Sequence, residues 1–371
     1  MKLALRELRR QPGRFAAAGM ILTLIALLLM FLGGLLDGLI RSSTGAVRAL
    51  DADVLVFSSS AENAFLRSRV EPALRATVDA VDGVEQTAGI GVLQFGARMP
   101  DSDPRDLLDI ALFGTELPLQ SVDALPGEGE VLADESLRQR GVTEGMVLEL
   151  GPGRSPVTVV GFTKDTSYLG QAALWASPQT WREVLGENRP DQLLGPDVFQ
   201  ALLVRLAPGS DAAAVAERID EATGAATASL TVIAAADTLP GVQEQQATFN
   251  QIIGVTVAIA IVVVALFFAL LTIERAGLYG VLKAIGAESR SLFGGLVLQA
   301  VVLTTLSCGI AAVAAVGLDL AIPPGSIPLR ISALRLITSL VYLLVAAVVG
   351  CAFSLRRVLR VDPASAIGSS S

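Results

Sequence analysis

The chain has 371 residues, 52% of them hydrophobic, and a formal net charge of −8. It contains no histidine, which excludes histidine-ligated zinc, histidine-ligated haem and the usual base of a catalytic triad. Neither a G-x-x-x-x-G-K-[ST] phosphate loop nor a G-x-S-x-G motif occurs. The sequence therefore predicts a protein that is not an enzyme, with no catalytic residue, no metal site and no intrinsic cofactor.

Four apolar runs follow a basic N-terminal segment. Each has at least 20 residues, which is enough to cross about 30 Å of hydrocarbon. Because a spanning backbone must satisfy its own hydrogen bonds, each run is predicted to be a helix. The first run exceeds the roughly 7–15 residue core of a signal peptide, so we expect a retained anchor. The runs are Phe15–Leu36, Ile252–Ile273, Leu292–Leu318 and Leu336–Leu355.

Arginine and lysine residues cluster on one side of the predicted spans. They precede the first span, lie between the second and third, and follow the fourth, which predicts that both termini are cytoplasmic. The long segment between spans one and two is then extracytoplasmic. The predicted division is an amphipathic cytoplasmic N-terminus at 1–14, transmembrane helices at 15–40, 251–273, 292–320 and 333–355, an extracytoplasmic domain at 41–250, a cytoplasmic helix at 274–291, an outer loop at 321–332 and a cytoplasmic tail at 356–371.

The extracytoplasmic segment has a mixed α/β pattern. Strands are expected at Asp53–Phe57 and Gln200–Leu206, and helices at Leu66–Val81 and Asp211–Glu221. Between these two strand–helix units, residues 128–180 contain short strands punctuated by glycine and proline, which predicts an inserted β-rich subdomain. The expected fold class is a membrane α-helical protein: four transmembrane helices plus a mixed α/β extracytoplasmic domain inserted between helices 1 and 2.

The segment that follows span two carries the most informative pattern. From Glu274 to Ala287 it combines alternating charge, helix-forming residues and glycines. One face of a short amphipathic helix would carry Leu278, Val281, Leu282 and Ile285. Such a helix can lie on the membrane surface and insert into a groove on a soluble partner. A plain turn between spans is the alternative.

Several motifs resemble those of FtsX-like and MacB-like ABC permeases (type VII ABC systems). Glu274-Arg275…Gly280-Val281-Leu282-Lys283-Ala284-Ile285-Gly286 resembles the family's E-[RK]-x(4)-G-x-L-[KR]-A-[IL]-G pattern, and Asp362-Pro363…Ala366-Ile367 resembles its D-P-x-x-A-[IL] ending. Within the family, Met1–Leu8 and Asp165-Thr166-Ser167-Tyr168 are most similar to haem-exporting permeases of Gram-positive bacteria. Related exporters of glycolipid share much of this pattern.

The resemblance implies a permease of the bacterial plasma membrane that works as a homodimer with separate ATP-hydrolysing subunits. It implies efflux of an amphipathic molecule from the bilayer, with haem as the leading substrate, and no nucleic-acid partner. It also implies that the segment after span two is a coupling helix received by the ATPase. The coupling residues so implied are Glu274, Arg275, Tyr279, Gly280, Leu282, Lys283, Ala284 and Gly286.

Haem chemistry narrows the candidate binding residues. Without histidine, the iron needs a carboxylate, tyrosinate or thioether donor. Glu244, just before span two, is the best-placed carboxylate, and a twofold dimer brings two copies to one iron; an ordinary solvated glutamate is the alternative. The acidic residue of the haem-exporting subgroup falls where Gln245 stands. Asp37 is a second candidate, although its Gly34-x-x-x-Gly38 setting also fits close helix packing.

Two functions of other classes remain open at this point. The chain is alternatively a mechanotransmission scaffold, whose outer domain activates an extracytoplasmic partner such as a cell-wall hydrolase without transport. It is also compatible with a sensor subunit that works with a signalling kinase. An exporter needs a lateral cavity lined by spans one and two, whereas a scaffold needs a docking surface at the tip of its outer domain.

Overall fold

The structure is a computed structural model that describes residues 12–100, 102–103, 105–274, 289–322 and 327–358. The chain divides into two units. The first, called here the helical unit, contains the described residues up to Asp37 and from Gln246 onward. The second, called the outer domain, runs from Gly38 to Gln245.

Eight α-helices form within the described residues. In chain order they are α1 (Pro12–Arg48), α2 (Pro72–Asp79), α3 (Pro178–Asn188), α4 (Ala212–Ala222), α5 (Val232–Asp237), α6 (Val242–Glu274), α7 (Ser289–Ala321) and α8 (Ala333–Val358). Four of these, α1, α6, α7 and α8, are long and apolar enough to cross a membrane. The predicted fold class is confirmed: four candidate membrane helices, with an α/β domain between the first and second.

The helical unit is held together by two buried apolar clusters. One joins Phe15 and Leu22 of α1 to Phe268 of α6 and Ala300 of α7. The other contains side chains from all four long helices: Met30, Ala260, Ala311 and Leu343, among others. Both cysteines are free and lie in these clusters, where small apolar side chains let helices approach closely.

Within the described part of the outer domain, nine strands form one mixed sheet. They are β1 (Val54–Ser58), β2 (Val84–Arg98), β3 (Leu108–Thr115), β4 (Glu130–Asp134), β5 (Val147–Leu150), β6 (Ser155–Thr163), β7 (Ala172–Ala176), β8 (Ala201–Leu206) and β9 (Thr227–Thr231). Six of them close into a ring in the order β2, β3, β7, β4, β6, β5 and back to β2. The long strand β2 also pairs with β8, from which β1 and β9 continue the sheet.

Separate cores fill the two parts of this sheet. The side chains around the ring bury Trp181 of α3 together with strand residues such as Leu112, Leu148 and Val159. The extension β8–β1–β9 packs α2 and α4 against one face through Val78, Val215 and Ile219, among others. A third cluster, rich in aromatic rings, contains the end of α1 and is described below.

The element bounds differ from the expectation in places. The helix expected from Leu66 begins at Pro72, because Val70 pairs with Phe199 in an isolated bridge and proline favours the first turn of a helix. The strands expected within 128–180 are β4 to β7, and β2 and β3, which the sequence did not predict, complete their ring. The division into domains stays a prediction.

Candidate functional site

Most of the predicted coupling segment lies outside the described residues. Only Glu274 is described, as the last residue of α6. The other predicted coupling residues are Arg275, Tyr279, Gly280, Leu282, Lys283, Ala284 and Gly286, all within the undescribed range 275–288. Their role stays a prediction.

Glu244 and Gln245 lie in the first turn of α6. Glu244 is exposed, and its carboxylate is favoured there because the N-terminus of a helix carries partial positive charge. Gln245 is half-buried, and its Oε1 atom is buried with no hydrogen-bond partner. Successive residues of a helix point about 100° apart. The two neighbours therefore present their side chains to different surroundings, and the exposed carboxylate is that of Glu244.

Asp37 is joined to Arg335 near the start of α8. The Asp37 Oδ2 atom accepts a hydrogen bond from Arg335 Nε at 3.0 Å, and Oδ1 accepts a second from Nη2. Two parallel bonds of this kind are the strong, planar arrangement of guanidinium with carboxylate. The Asp37 carboxylate would have to release Arg335 to bind a substrate, so the geometry supports the packing interpretation of this residue.

Two glycines of α1 make room for the start of α8 and for the segment before it. The Arg335 side chain lies against Gly33, where a Cβ would overlap its Cδ atom. One residue further, a Cβ on Gly34 would lie 2.9 Å from the Arg330 carbonyl oxygen. The Arg330 amide also donates to the Gly34 carbonyl at 3.1 Å. The segment before α8 is therefore fixed to α1 by backbone contact, and the first turn of α8 is fixed to α1 by charge.

Sequence reasoning did not identify Arg335 as a partner. The signal was present, because an arginine at the edge of an apolar run needs an opposite charge or access to water. Its partner, however, lies 298 positions away in the chain, which no local pattern reveals.

Tyrosinate ligation of iron is disfavoured at one of the three tyrosines. Tyr168 of the outer domain is 4% exposed, and burial raises its pKa above the ordinary value of 10.0. The phenol is therefore neutral at physiological pH. Among the described residues, no group of three His, Cys, Asp or Glu side chains is arranged to hold a metal ion.

Two family models match the chain. The model for the FtsX-like permease C-terminal region matches residues 250–363. The model for the MacB-like periplasmic core domain matches residues 15–222, which is more than half of the chain.

Curated relatives carry the name hemin transport system permease protein HrtB. The one from Staphylococcus haemolyticus is 32% identical over 132 residues, 36% of this chain and 37% of that protein. One from Staphylococcus epidermidis is 22% identical over 375 residues, 99% of each chain. Among solved structures, the periplasmic region of MacB from Actinobacillus actinomycetemcomitans is 11% identical and covers 53% of this chain and 96% of its own, with a TM-score of 0.36.

Together the two family models cover most of the helical unit and most of the outer domain. The FtsX-like match covers α7, α8 and most of α6, and the MacB-like match covers α1 and most of the sheet. The family predicted from the motifs is confirmed, and the chain belongs to the FtsX-like and MacB-like family of ABC-type permeases.

Proposed function

We propose that this permease exports an amphipathic molecule, with haem as the leading substrate, from the plasma membrane of a bacterium, and that a separate ATPase subunit powers it. The observation that carries the proposal is the end-to-end similarity to permeases named for hemin transport, at 22% identity over 99% of the chain. The sequence has no phosphate loop of its own, so hydrolysis of ATP requires a partner.

The expected assembly is a homodimer with two ATPase subunits on the cytoplasmic side, where both termini lie. Homodimers of this kind repeat one surface around a twofold axis. Glu244 supports the substrate assignment because its carboxylate is exposed at the start of a membrane helix. The chain has no histidine to serve as an axial ligand of haem iron. Two Glu244 carboxylates, one from each subunit, could take that place.

The proposal is tested with the full-length permease and its ATPase partner, reconstituted together in proteoliposomes. ATP hydrolysis and movement of haemin are measured, with iron-free protoporphyrin and phospholipid as competing substrates. We expect haemin to stimulate ATP hydrolysis and to move only when ATP is present. Stimulation of ATP hydrolysis without movement of any substrate would favour the scaffold function, and no stimulation at all would refute a powered exporter.

Glu244→Gln is the sharper test of haem binding. Removing the carboxylate should weaken the Soret band of haemin bound to the purified permease, because glutamine does not supply an anionic oxygen to iron. The matched control is Glu217→Gln, the same change at an exposed position of α4 in the outer domain. Equal spectra for wild type and Glu244→Gln would dispose of Glu244 as a ligand while leaving export itself open.

A further inference from the structure

A short loop of the outer domain, Asp165–Gly170, lies against the last turns of α1; we call it the clamp loop. Three backbone hydrogen bonds join the clamp loop to the helix. They run from the Leu169 amide to the Ser43 carbonyl (3.0 Å), from the Gly170 amide to the Ser42 carbonyl (3.1 Å) and from the Ala46 amide to the Ser167 carbonyl (2.9 Å). The third is unusual, because an amide inside a helix ordinarily donates only to the carbonyl four residues earlier.

Gly45 permits this approach. A Cβ at this position would overlap the carbonyl oxygen of Asp165 and lie 3.1 Å from that of Ser167. Any side chain would therefore push the clamp loop away, although alanine is a better helix former than glycine. Arg41 and Asp165 add an ion pair at 3.8 Å. Both side chains are about half exposed, so that pair contributes little.

The opposite side of the clamp loop is tied to the sheet by a buried carboxylate. Asp134, at the end of β4, is 3% exposed. Its Oδ2 atom accepts hydrogen bonds from the amide and the hydroxyl of Thr166, both at 2.8 Å. Its Oδ1 atom accepts a third bond from the Ser136 amide at 3.0 Å. Hydrogen bonds to a buried charged group are strong and directional, so the loop cannot shift without disturbing β4.

An aromatic cluster makes a second connection from the clamp loop to the sheet. The ring of Tyr168 stands edge-on to Phe113 of β3, with centroids 5.2 Å apart, and to Phe65 at 6.2 Å. Phe113 in turn stacks on Trp175 of β7 at 4.6 Å. Close-packed rings of this kind transmit displacement because they leave no free volume to absorb it.

We propose that the clamp loop passes displacement of the end of α1 into the sheet of the outer domain, with Gly45 and Thr166 as positioning residues for transport. The proposal rests on the proposed function, because ATP-driven movement of the membrane helices is what displaces α1. The loop has backbone bonds to the helix on one side, and a buried carboxylate and a packed ring on the other. Turning or sliding of α1 therefore strains β3, β4 and β7.

The test compares Gly45→Ala with Gly13→Ala. Both changes place one methyl group in α1, but a Cβ at Gly13 meets nothing within 4 Å. Permease variants are reconstituted with the ATPase, and haemin moved is measured per ATP hydrolysed. Gly45→Ala should lower this ratio by about tenfold while ATP hydrolysis continues, and Gly13→Ala should leave it unchanged. A wild-type ratio for Gly45→Ala would overturn the proposal.

Thr166→Val covers the case in which Gly45→Ala does not fold. It keeps the shape of the side chain and the loop amide, and removes the hydroxyl, which bonds to Asp134 and to the hydroxyl of Thr163. It should also lower the amount of haemin moved per ATP hydrolysed. A wild-type ratio in this variant would contradict the proposed role of the clamp loop.

Amide hydrogen exchange of the full chain in nanodiscs tests the clamp loop independently of the proposed function, because the measurement does not depend on transport. Gly45→Ala should speed exchange of the Leu169 and Gly170 amides by about tenfold or more, and Gly13→Ala should not. If the wild-type permease moves no substrate, the proposed function fails, and the exchange experiment still decides the contact. If both amides keep wild-type protection in Gly45→Ala, the proposed role of the clamp loop is wrong.

Discussion

Replacing Asp37 by asparagine removes the carboxylate that neutralises Arg335 where α1 and α8 meet. The two side chains are 32% and 20% exposed, respectively, so neither is in bulk water. Unit charges about 4 Å apart attract by about 4 kcal/mol at an effective dielectric constant of about 20. Desolvation of the two ions offsets part of this attraction. We therefore expect a coupling of about 2 kcal/mol between them, above the roughly 0.2–1 kcal/mol of exposed pairs.

A double-mutant cycle measures this coupling. Asp37→Asn alone should lower the free energy of unfolding by about 2–3 kcal/mol, because it leaves the Arg335 cation without a partner. Adding Arg335→Gln should recover most of that loss. The assay is equilibrium unfolding of the full chain in mixed detergent micelles. The control cycle uses Glu62→Gln and Arg67→Gln, whose side chains are 77% and 57% exposed and lie 2.7 Å apart.

The cycle has a definite refuting result. If the effects of Asp37→Asn and Arg335→Gln simply add, to within about 0.5 kcal/mol, the two residues are not coupled. The bidentate geometry would then contribute nothing to stability, and Asp37 would again be available as a substrate ligand. A coupling as small as that of the exposed control pair would lead to the same conclusion.

Two further predictions concern coupling and pH. Glu274→Lys and Gly280→Pro should each abolish stimulated ATP hydrolysis while the permease stays folded and inserted; stimulation at the wild-type level in both would remove the coupling assignment. Because burial raises the pKa of Tyr168 above 10.0, the unfolded chain loses this proton first, and stability should fall as the pH rises from about 10 toward the folded pKa. Unfolding measured between about pH 9 and 11 should show a slope that Tyr168→Phe reduces by up to about 1.4 kcal/mol per pH unit.

The membrane helices were predictable because the length of an apolar run corresponds to the thickness of the bilayer. The ends of these helices were not predictable in this way. The first apolar run ends at Leu36, whereas α1 continues to Arg48. The added turns include several polar residues, and the outer domain supplies their surroundings: the clamp loop bonds to their backbone, and Val47 is buried in the aromatic-rich cluster. No membrane-based signal can mark a helix end that tertiary contacts determine.

Strand β2 shows why much of the sheet was missed. Its central residues are buried on both faces, so the alternation of polar and apolar residues that marks a half-exposed strand is absent. It also contains glycines, which in a sequence favour the prediction of a loop over that of a strand. At Gly91 the missing side chain is replaced by the ring of Trp181, which occupies the space of a Cβ. The strand is therefore completed by a residue 90 positions later in the printed sequence.

The candidate haem ligand shows what structure adds to a family motif. The sequence favours Glu244 as the best-placed carboxylate, although the acidic residue of the haem-exporting subgroup falls one position later, where Gln245 stands. On a helix, one position turns a side chain by about 100°. Here that turn separates an exposed carboxylate from an amide whose oxygen is buried. A carboxylate at 245 would carry its charge into that buried setting at a cost of several kcal/mol. Residue 244 is thus the position of the exposed carboxylate, and its role as a haem ligand stays a prediction.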